Sequence, residues 1–349
     1  MRVFITGVTG FVGSHMAEFL LAMPGVETFG LFRPRSRMDN LDDLRRAGKL
    51  NFLGENGSFT SVGLLEKVVQ SQFKAGFVNM VEGDMMDPYS MERVIGAVRP
   101  DRVFHLAAQS YVPGSQSAPA ATLQTNILGQ LHIFEAVRHA QIEPMIHIAG
   151  SSEEYGLVHP EETPIRESNP LRPLSPYGVS KVAQESLAYQ YCQSFGLKTV
   201  TTRGFNHTGP RRGQWFVTSS RAKQIAEIER GLRPPVVYVG DMSSRRDWTD
   251  VRDMVRAYWA ALDHGTPGEV YNVGSGVDLS VGEMQEMLLA MSNTKISVEV
   301  DPTRLRPSDV TLLLADTHKF HGATGWKPSI PFEKTLSDLL DWWRQRVQQ

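Results

Sequence analysis

Tyr177 and Lys181 stand four residues apart at the start of a segment with helical periodicity, so both side chains lie on one helix face. A tyrosine hydroxyl has an unperturbed pKa of about 10, too high for a base near neutrality. A lysine ammonium beside it favours the phenolate and can also hold a ribose hydroxyl. By itself Tyr-x-x-x-Lys is a common surface pattern. Its weight here comes from its place after an apolar run ending at Ala149, followed by Ser151 and Ser152, at the edge where open α/β sheets put their ligands.

Gly7, Gly10 and Gly13 separate the first apolar run from the first helical pattern, spaced Gly-x-x-Gly-x-x-Gly. Such a turn can bend tightly, bring backbone against a pyrophosphate and aim a helix N-terminus at its charge. The spacing departs from the Gly-x-Gly-x-x-Gly dinucleotide fingerprint. At the end of the second apolar run an Asp or Glu would bond the ribose 2′-hydroxyl of NAD. Here Phe32 is followed by Arg33, Pro34, Arg35, Ser36 and Arg37. Guanidinium forks suit a 2′-phosphate, so NADP is the expected cofactor and NAD the alternative. Asp84, after the third strand, is a candidate for the adenine amino group.

The elements that must carry these groups alternate. Val3–Thr6, Val26–Phe32, Phe77–Val81, Arg102–Leu106, Met145–Ala149 and Thr199–Arg203 read as strands. Helical patterns fall between them, near Pro88–Ala97, over Thr122–His139 and over Tyr177–Phe195. That rhythm predicts an α/β fold, a Rossmann-like doubly wound parallel sheet covered on both faces. After residue 205 the rhythm loosens into short strands (Val236–Val239, Val270–Val273, Ile296–Val300) and helices near 219–230, 250–263, 280–291 and 332–347. The expected division is 1–205 for dinucleotide binding and catalysis, and 206–349 for a smaller α/β substrate-binding lobe, with some segments returning to the large domain. Asn51–Ala75 reads as a surface excursion.

Composition narrows the class. The chain has 349 residues, 41% hydrophobic and 21% charged, which is ordinary for a globular enzyme of two lobes. Lys and Arg number 36 against 38 Asp and Glu, a formal charge of −2, with no basic excess for nucleic acid. The single Cys192 can form no intrachain disulfide, which suits a reducing, cytoplasmic setting. No apolar run approaches the ~20 residues of a membrane span. The histidines show no metal-ligand spacing, so no metal is expected.

These motifs, with His105-Leu106-Ala107-Ala108, resemble the extended short-chain dehydrogenase/reductase family over essentially the whole chain. The closer resemblance is to enzymes acting on GDP-sugars. It is carried by Ser152-Glu153-Glu154-Tyr155-Gly156, Ser175-Pro176-Tyr177, Phe205-Asn206-His207, Pro210-Arg211-Arg212-Gly213, Phe216-Val217-Thr218 and Arg306-Pro307. GDP-mannose 4,6-dehydratases are indicated by Pro210–Gly213 with Phe216–Thr218, and by Arg245-Arg246-Asp247-Trp248. GDP-4-keto-6-deoxymannose reductases are indicated by Asn206–Pro210 and Thr324-Gly325-Trp326-Lys327-Pro328. Thr208 stands where a dehydratase is expected to carry Glu.

The resemblance implies an NAD(P)-dependent nucleotide-sugar enzyme with Ser151, Glu153, Tyr177 and Lys181 as catalytic residues. The leading reaction is 4,6-dehydration of GDP-mannose; reduction of the 4-keto-6-deoxy sugar is the runner-up and 4-epimerisation the third. Dehydration needs a base at C5, assigned to Glu153, with Glu154 as fallback, although neighbours on an extended segment face opposite ways. Implied cofactor contacts are Gly7, Thr9, Gly10, Phe11, Val12, Gly13, Arg33, Arg35, Asp84, Met85, Leu106, Ala107 and Ala108, with Tyr177 and Lys181. Implied substrate contacts are Ser152, Asn206, Arg212, Val217, Arg246 and Arg306, Arg being the natural partner of a diphosphate. A homodimer or homotetramer formed through helices of the large lobe is also implied. His105 is expected to pack at a strand end, Met284, Met287 and Met291 to fill core, and Trp342 and Trp343 to close the small lobe or cover an interface.

Overall fold

The computed structural model describes residues 1–54, 61–302 and 312–347. The chain runs β1 (Arg2–Thr6), α1 (Phe11–Leu21), β2 (Glu27–Phe32), α2 (Asp42–Arg46), β3 (Leu50–Leu53), α3 (Val62–Gln72), β4 (Val78–Glu82) and α4 (Pro88–Val98). It continues through β5 (Arg102–His105), α5 (Val112–Ser117), α6 (Pro119–Leu123), α7 (Gly129–His139), β6 (Met145–Ser151), α8 (Pro176–Phe195) and β7 (Lys198–Gly204). Next come β8 (Asn206–Thr208), α9 (Val217–Glu229), β9 (Val236–Val239), β10 (Arg245–Asp250), α10 (Val251–His264), β11 (Val270–Val273) and β12 (Asp278–Ser280). The last elements are α11 (Val281–Ala290), β13 (Ser297–Val300), β14 (Leu312–Leu313), α12 (His318–Thr324) and α13 (Phe332–Arg346). Two compact units result. The first holds Met1–Gly156, Leu171–Arg203 and Val255–Tyr271; the second holds Leu157–Pro170, Gly204–Met254 and Asn272–Gln349.

The first unit is built on an eight-stranded sheet of order β11-β7-β6-β5-β1-β2-β4-β3. Every pairing from β6 to β3 is parallel. Such strands are buried on both faces, which is why β1 is an unbroken apolar run instead of an alternating one. Phe4 and its register partner Val103 face a core that includes Leu65, Val69, Ile95, Phe134 and Val137. Ile5 and Phe104 point the other way, where Trp259 of α10 stacks on Phe104 at 6.2 Å and Phe19 of α1 meets Trp259 edge-on at 6.0 Å. The order places β1 beside both β2 and β5, so the chain leaves β1 and β5 toward opposite sides of the sheet. This is the topological switch point, where open α/β sheets bind ligands.

Two expectations are corrected. Asn51–Ala75 is not a surface excursion: β3 forms the sheet edge in register with β4, and α3 buries Leu65 and Val69 in the main core. The short strand has only four residues and begins after a polar stretch, which hides it from a periodicity reading. The single helix expected over Thr122–His139 is interrupted by a π-helical turn at Gln124–Leu128. Its cause is the buried Asn126, whose amide is drawn to the Gln109 backbone and to Ser180.

The second unit has a sheet in which β10 pairs with β8 and β14 in parallel and with β12 antiparallel, and a separate parallel pair β9/β13. Its core joins α9, α11 and α13 through Ile225, Val237, Met284, Leu288, Leu336 and Leu339, with Met287, Met291 and Trp343 packed on its border. Met284 is therefore core, as expected, while Met287 and Met291 border it half-buried. Trp343 Nε1 also donates to Ser219 Oγ at 2.9 Å, and Trp342 lies edge-on to Trp343. The strand Val270–Val273, read among the segments after residue 205, pairs at the edge of the large sheet.

Candidate active site

Three glycines make the turn after β1 for three different steric reasons. Gly7 has φ +72°, and a Cβ there would lie 2.8 Å from Ala107 N. Gly10 caps α1 and donates its N–H to Gly7 O at 2.9 Å. A Cβ on Gly13 would meet Gly7 O at 2.1 Å, so only glycine lets the helix lie this close to the turn. The first turn of α1 has no side-chain cap and no acidic residue, leaving its N–H groups and positive dipole end for an anion. The residues present thus fit a dinucleotide pyrophosphate.

The loop after β2 is tied to this turn, because Asn40 Nδ2 donates to Thr9 O at 3.1 Å. Arg37 is committed to Asp39, whereas Arg33 and Arg35 are exposed and, among the described residues, make no side-chain ion pair. Phe11 and Val12 are half-buried at the start of α1, Phe11 meeting His15 edge-on. Asp84 accepts from Met86 N–H at 3.0 Å, and Met85 is buried in the main core. Leu106, Ala107 and Ala108 follow β5 half-buried, Ala107 N–H donating to Thr6 Oγ1 at 3.2 Å. His105 is a packed strand-end residue: Nδ1 bonds Thr6 Oγ1 at 2.9 Å, and burial pulls its pKa down to about 3.

The residues expected to carry the chemistry lie at the end of β6, just beyond it and on α8. Ser175 caps α8, accepting from Gly178 N–H at 3.0 Å, and Pro176 fits its first position. Tyr177 is 9% exposed and Lys181 3%. Lys181 Nζ lies 5.7 Å from the Tyr177 ring centre and donates to Ala149 O at 2.7 Å. Burial lowers the lysine pKa to about 8, against a smaller upward pull from Glu154. The Ser151 hydroxyl accepts from Glu153 N–H at 3.2 Å, starting a 3-10 turn over Ser152–Glu154. That turn, and not an extended segment, is what divides the two glutamates. Glu153 stays half-buried, while Glu154 is fully buried with Oε1 on Ser151 N–H at 2.7 Å. Burial first, then the Glu185 charge, pushes the Glu154 carboxyl well above the usual carboxylate range. Glu154 is thereby removed as a base facing solvent or substrate.

Gly178 explains the approach of this turn to α8: a Cβ there would sit 2.6 Å from Glu153 O. Below the site lies a buried polar layer that sequence reasoning missed. Asn126 donates to Ser180 Oγ at 2.8 Å, Ser180 Oγ donates to Tyr177 O at 2.6 Å, and Gln184 donates to Gln130 Oε1 at 2.9 Å. The available signal was the run Tyr177, Ser180, Lys181, Gln184 and Glu185, polar groups at helical spacing that share one face of α8.

In the second unit, Ser152's companions in the substrate reading are placed as follows. Asn206 pairs in register with Trp248, and its buried Oδ1 has no hydrogen-bond partner among the described residues. The Arg212 guanidinium lies 3.4 Å over the Phe216 ring, and Arg246 Nη1 donates to Arg245 O at 2.8 Å. Val217 packs on the border of the second core. Ser152 itself, in the first unit, is 5% exposed. Arg306 lies outside the described residues. Thr208 is buried, its hydroxyl 2.6 Å from that of Thr218. Among the described residues no group of three or more His, Cys, Asp or Glu is placed to hold a metal ion, and no helix is long and apolar enough to cross a membrane.

A parallel sheet with a glycine turn at its switch point and a Tyr–Lys pair beside a strand-end serine defines an enzyme of the extended short-chain dehydrogenase/reductase type. Comparison narrows this: the family model described as GDP-mannose 4,6 dehydratase matches residues 4–339, and the chain belongs to that family. It is 32% identical to a GDP-6-deoxy-D-mannose reductase of Pseudomonas aeruginosa, over 100% of this chain and 99% of that protein. It is 31% identical to a GDP-mannose 4,6-dehydratase of Vibrio cholerae, over 97% of this chain and 92% of that one. The solved structure of RMD from Pseudomonas aeruginosa complexed with NADPH superimposes with a TM-score of 0.80 at 31% identity, covering 99% of each chain.

Proposed function

We propose that this protein is an NADP-dependent GDP-sugar 4,6-dehydratase, taking GDP-mannose to the GDP-4-keto-6-deoxy sugar. The observation that carries the reading is the Ser151–Glu154 turn. It buries one glutamate for structure and leaves Glu153 half-buried, one residue beyond the Ser151–Ser152 pair and against the start of the Tyr177 helix.

Tyr177 takes the proton of the C4 hydroxyl as C4 is oxidised, and the Lys181 ammonium lowers the cost of the resulting phenolate. The Ser151 hydroxyl hydrogen-bonds the C4 oxygen. With a ketone at C4, the C5 proton becomes acidic; Glu153 removes it and returns a proton to the C6 hydroxyl, which leaves as water. NADP held at the glycine turn would supply the hydride chemistry, as acceptor at C4 and donor at C6, so no external reductant would be consumed. C5 regains a proton as Tyr177 gives up the one taken from the C4 hydroxyl, which restores the phenolate. Arg33 and Arg35 hold the 2′-phosphate, and the NADPH carried by the Pseudomonas relative supports that choice over NAD. Gly7, Gly10 and Gly13 hold the pyrophosphate, while Asn206, Arg212 and Arg246 belong to the sugar-nucleotide side.

A second reading has its own support. The full-length likeness to a reductase, and a buried Thr208 where a dehydratase is expected to carry Glu, favour reduction of a 4-keto-6-deoxy sugar by the same Tyr177 and Lys181. Incubation with GDP-mannose and a trace of NADP separates the two. A 4-keto-6-deoxy product without net NADPH change supports dehydration. Turnover restricted to a 4-keto substrate with stoichiometric NADPH replaces it with reduction.

Self-association through helices of the first unit accords with the exposed Val179, Tyr189 and Phe195 on α8. Light scattering distinguishes a dimer or tetramer from a monomer. A cytoplasmic setting accords with the lone Cys192.

A further inference from the structure

Behind the catalytic turn lies a cluster that the reaction itself does not use. Arg203, on β7, places its guanidinium as a fork on Glu185 of α8, with Nε–Oε2 at 2.8 Å and Nη2–Oε1 at 2.6 Å. Its remaining Nη1 donates to the Tyr155 hydroxyl at 2.8 Å. Glu154 therefore receives no fork: Oε2 lies 3.6 Å from Arg203 Nε and, among the described residues, accepts no hydrogen bond. One guanidinium faces two carboxyls, Glu154 fully buried and Glu185 at its partly exposed rim, and the fork assigns its charge to Glu185. A charge on the fully buried Glu154 would have, among the described residues, no hydrogen-bonded ion pair of its own, only the field of Lys181 and of the shared guanidinium, and would be costly. Room for Glu154 is also built in, because a Cβ on Gly150 would stand 2.7 Å from Glu154 Oε1 and 2.9 Å from Thr202 O.

We propose that Glu154 is a positioning residue whose carboxyl works as a hydrogen-bonding group and not as a charge, holding the turn that presents Ser151 and Glu153. Its Oε1 takes the Ser151 N–H, and this closes the capping box of the turn. The role rests on the reading of Ser151 and Glu153 as reacting groups. The charged and titratable groups around it are Glu185 and Lys181 of α8, Arg203 of β7 and Tyr155 of its own turn. Burial acts on the carboxyl in the same sense, favouring its neutral form.

The test compares Glu154→Gln with Glu154→Ala in the full chain. An amide keeps an acceptor for Ser151 N–H and carries no charge. Glu154→Gln is expected to keep kcat within about threefold and to leave the pH profile unmoved. Glu154→Ala is expected to lower kcat by up to about 100-fold, as a small misplacement of reacting groups does, with KM little changed. Hydrogen exchange over residues 150–154 should quicken in the alanine variant and not in the glutamine one. That readout needs no turnover, so it stays decisive if wild-type protein fails to act on GDP-mannose, an outcome that would remove the reaction reading alone. Glutamine as damaging as alanine, in rate or in exchange, overturns the proposal. So does an alanine variant with unchanged exchange. If the alanine variant does not fold, the glutamine variant decides by its rate and pH profile.

Discussion

Lys181 Nζ donates a 2.7 Å hydrogen bond to the carbonyl of Ala149, the residue two before Ser151. One contact thus joins the helix that carries the Tyr177 phenol to the strand that carries the Ser151 hydroxyl. It also holds an ammonium in a place where burial disfavours charge, which has consequences for rate and for stability.

Replacing the ammonium tests the first. Lys181→Met, similar in length and uncharged, is expected to lower kcat by about 10²–10⁴-fold, the range of a positioned acid–base contribution. Cofactor affinity, read by titration, should fall much less. A variant retaining more than a tenth of the wild-type kcat would contradict the role given to the charge.

The second consequence is a pH dependence of stability. The folded-state pKa is about 8, below the 10.5 of the free side chain. Between those values the unfolded chain binds a proton that the folded chain does not, so stability from this group rises with pH across that window. Below about 8 the buried charge counts against the fold. Urea midpoints of wild type and Lys181→Met should therefore diverge in favour of wild type from about pH 8 upward. A constant difference from about pH 7 to pH 10 contradicts it.

At the glycine turn, Gly13→Ala forces a Cβ to within 2.1 Å of Gly7 O. Overpacking of this kind costs about 1–3 kcal/mol. The displaced helix end should also raise the NADP dissociation constant by at least about tenfold, or ~1.4 kcal/mol. Gly322→Ala is the control: it lies within α12 with nothing near its Cβ, and should stabilise by about 0.5–1 kcal/mol. Equal NADP affinity in wild type and Gly13→Ala would refute the cradle.

Arg33 and Arg35 predict a cofactor ratio. Removing both with alanine should weaken NADP by about tenfold to a hundredfold, as lost hydrogen bonds to a charged group do, while NAD affinity barely changes. Parallel titrations with the two dinucleotides check this. Equal weakening of both cofactors would move these arginines away from the 2′-phosphate.

What the sequence disclosed and what it hid have physical causes. The glycine turn and the Tyr177–Lys181 pair were legible because each demands residue types that few other arrangements tolerate. The parallel sheet was legible because strands buried on both faces are unbroken apolar runs, as in Val3–Ile5. β3 was hidden because Asn51 sits inside it, its amide satisfied by Asn79 and Gln72 O, so the strand carries a polar residue in the core. The π turn at Gln124–Leu128 was hidden because its cause, Asn126, bonds residues 17 and 54 positions away. The burial of Glu154, named only as a fallback base, was hidden for the same reason: its neighbour Arg203 is remote in sequence, and two adjacent glutamates look alike until a turn separates them.

In the proposed reaction Glu153 bears the step that distinguishes dehydration from simple reduction. Glu153→Gln should abolish formation of the 4-keto-6-deoxy product while leaving NADP affinity unchanged. Undiminished product formation would reassign the C5 base.

The most direct measurement follows an isotope. GDP-mannose bearing deuterium at C4 is incubated with the protein and a trace of NADP, and the product is read by NMR. Deuterium found at C6 of a 4-keto-6-deoxy sugar is the predicted result, since a hydride that leaves C4 must return within the same turnover. Product lacking deuterium at C6, or no product unless a 4-keto sugar and stoichiometric NADPH are supplied, would contradict it.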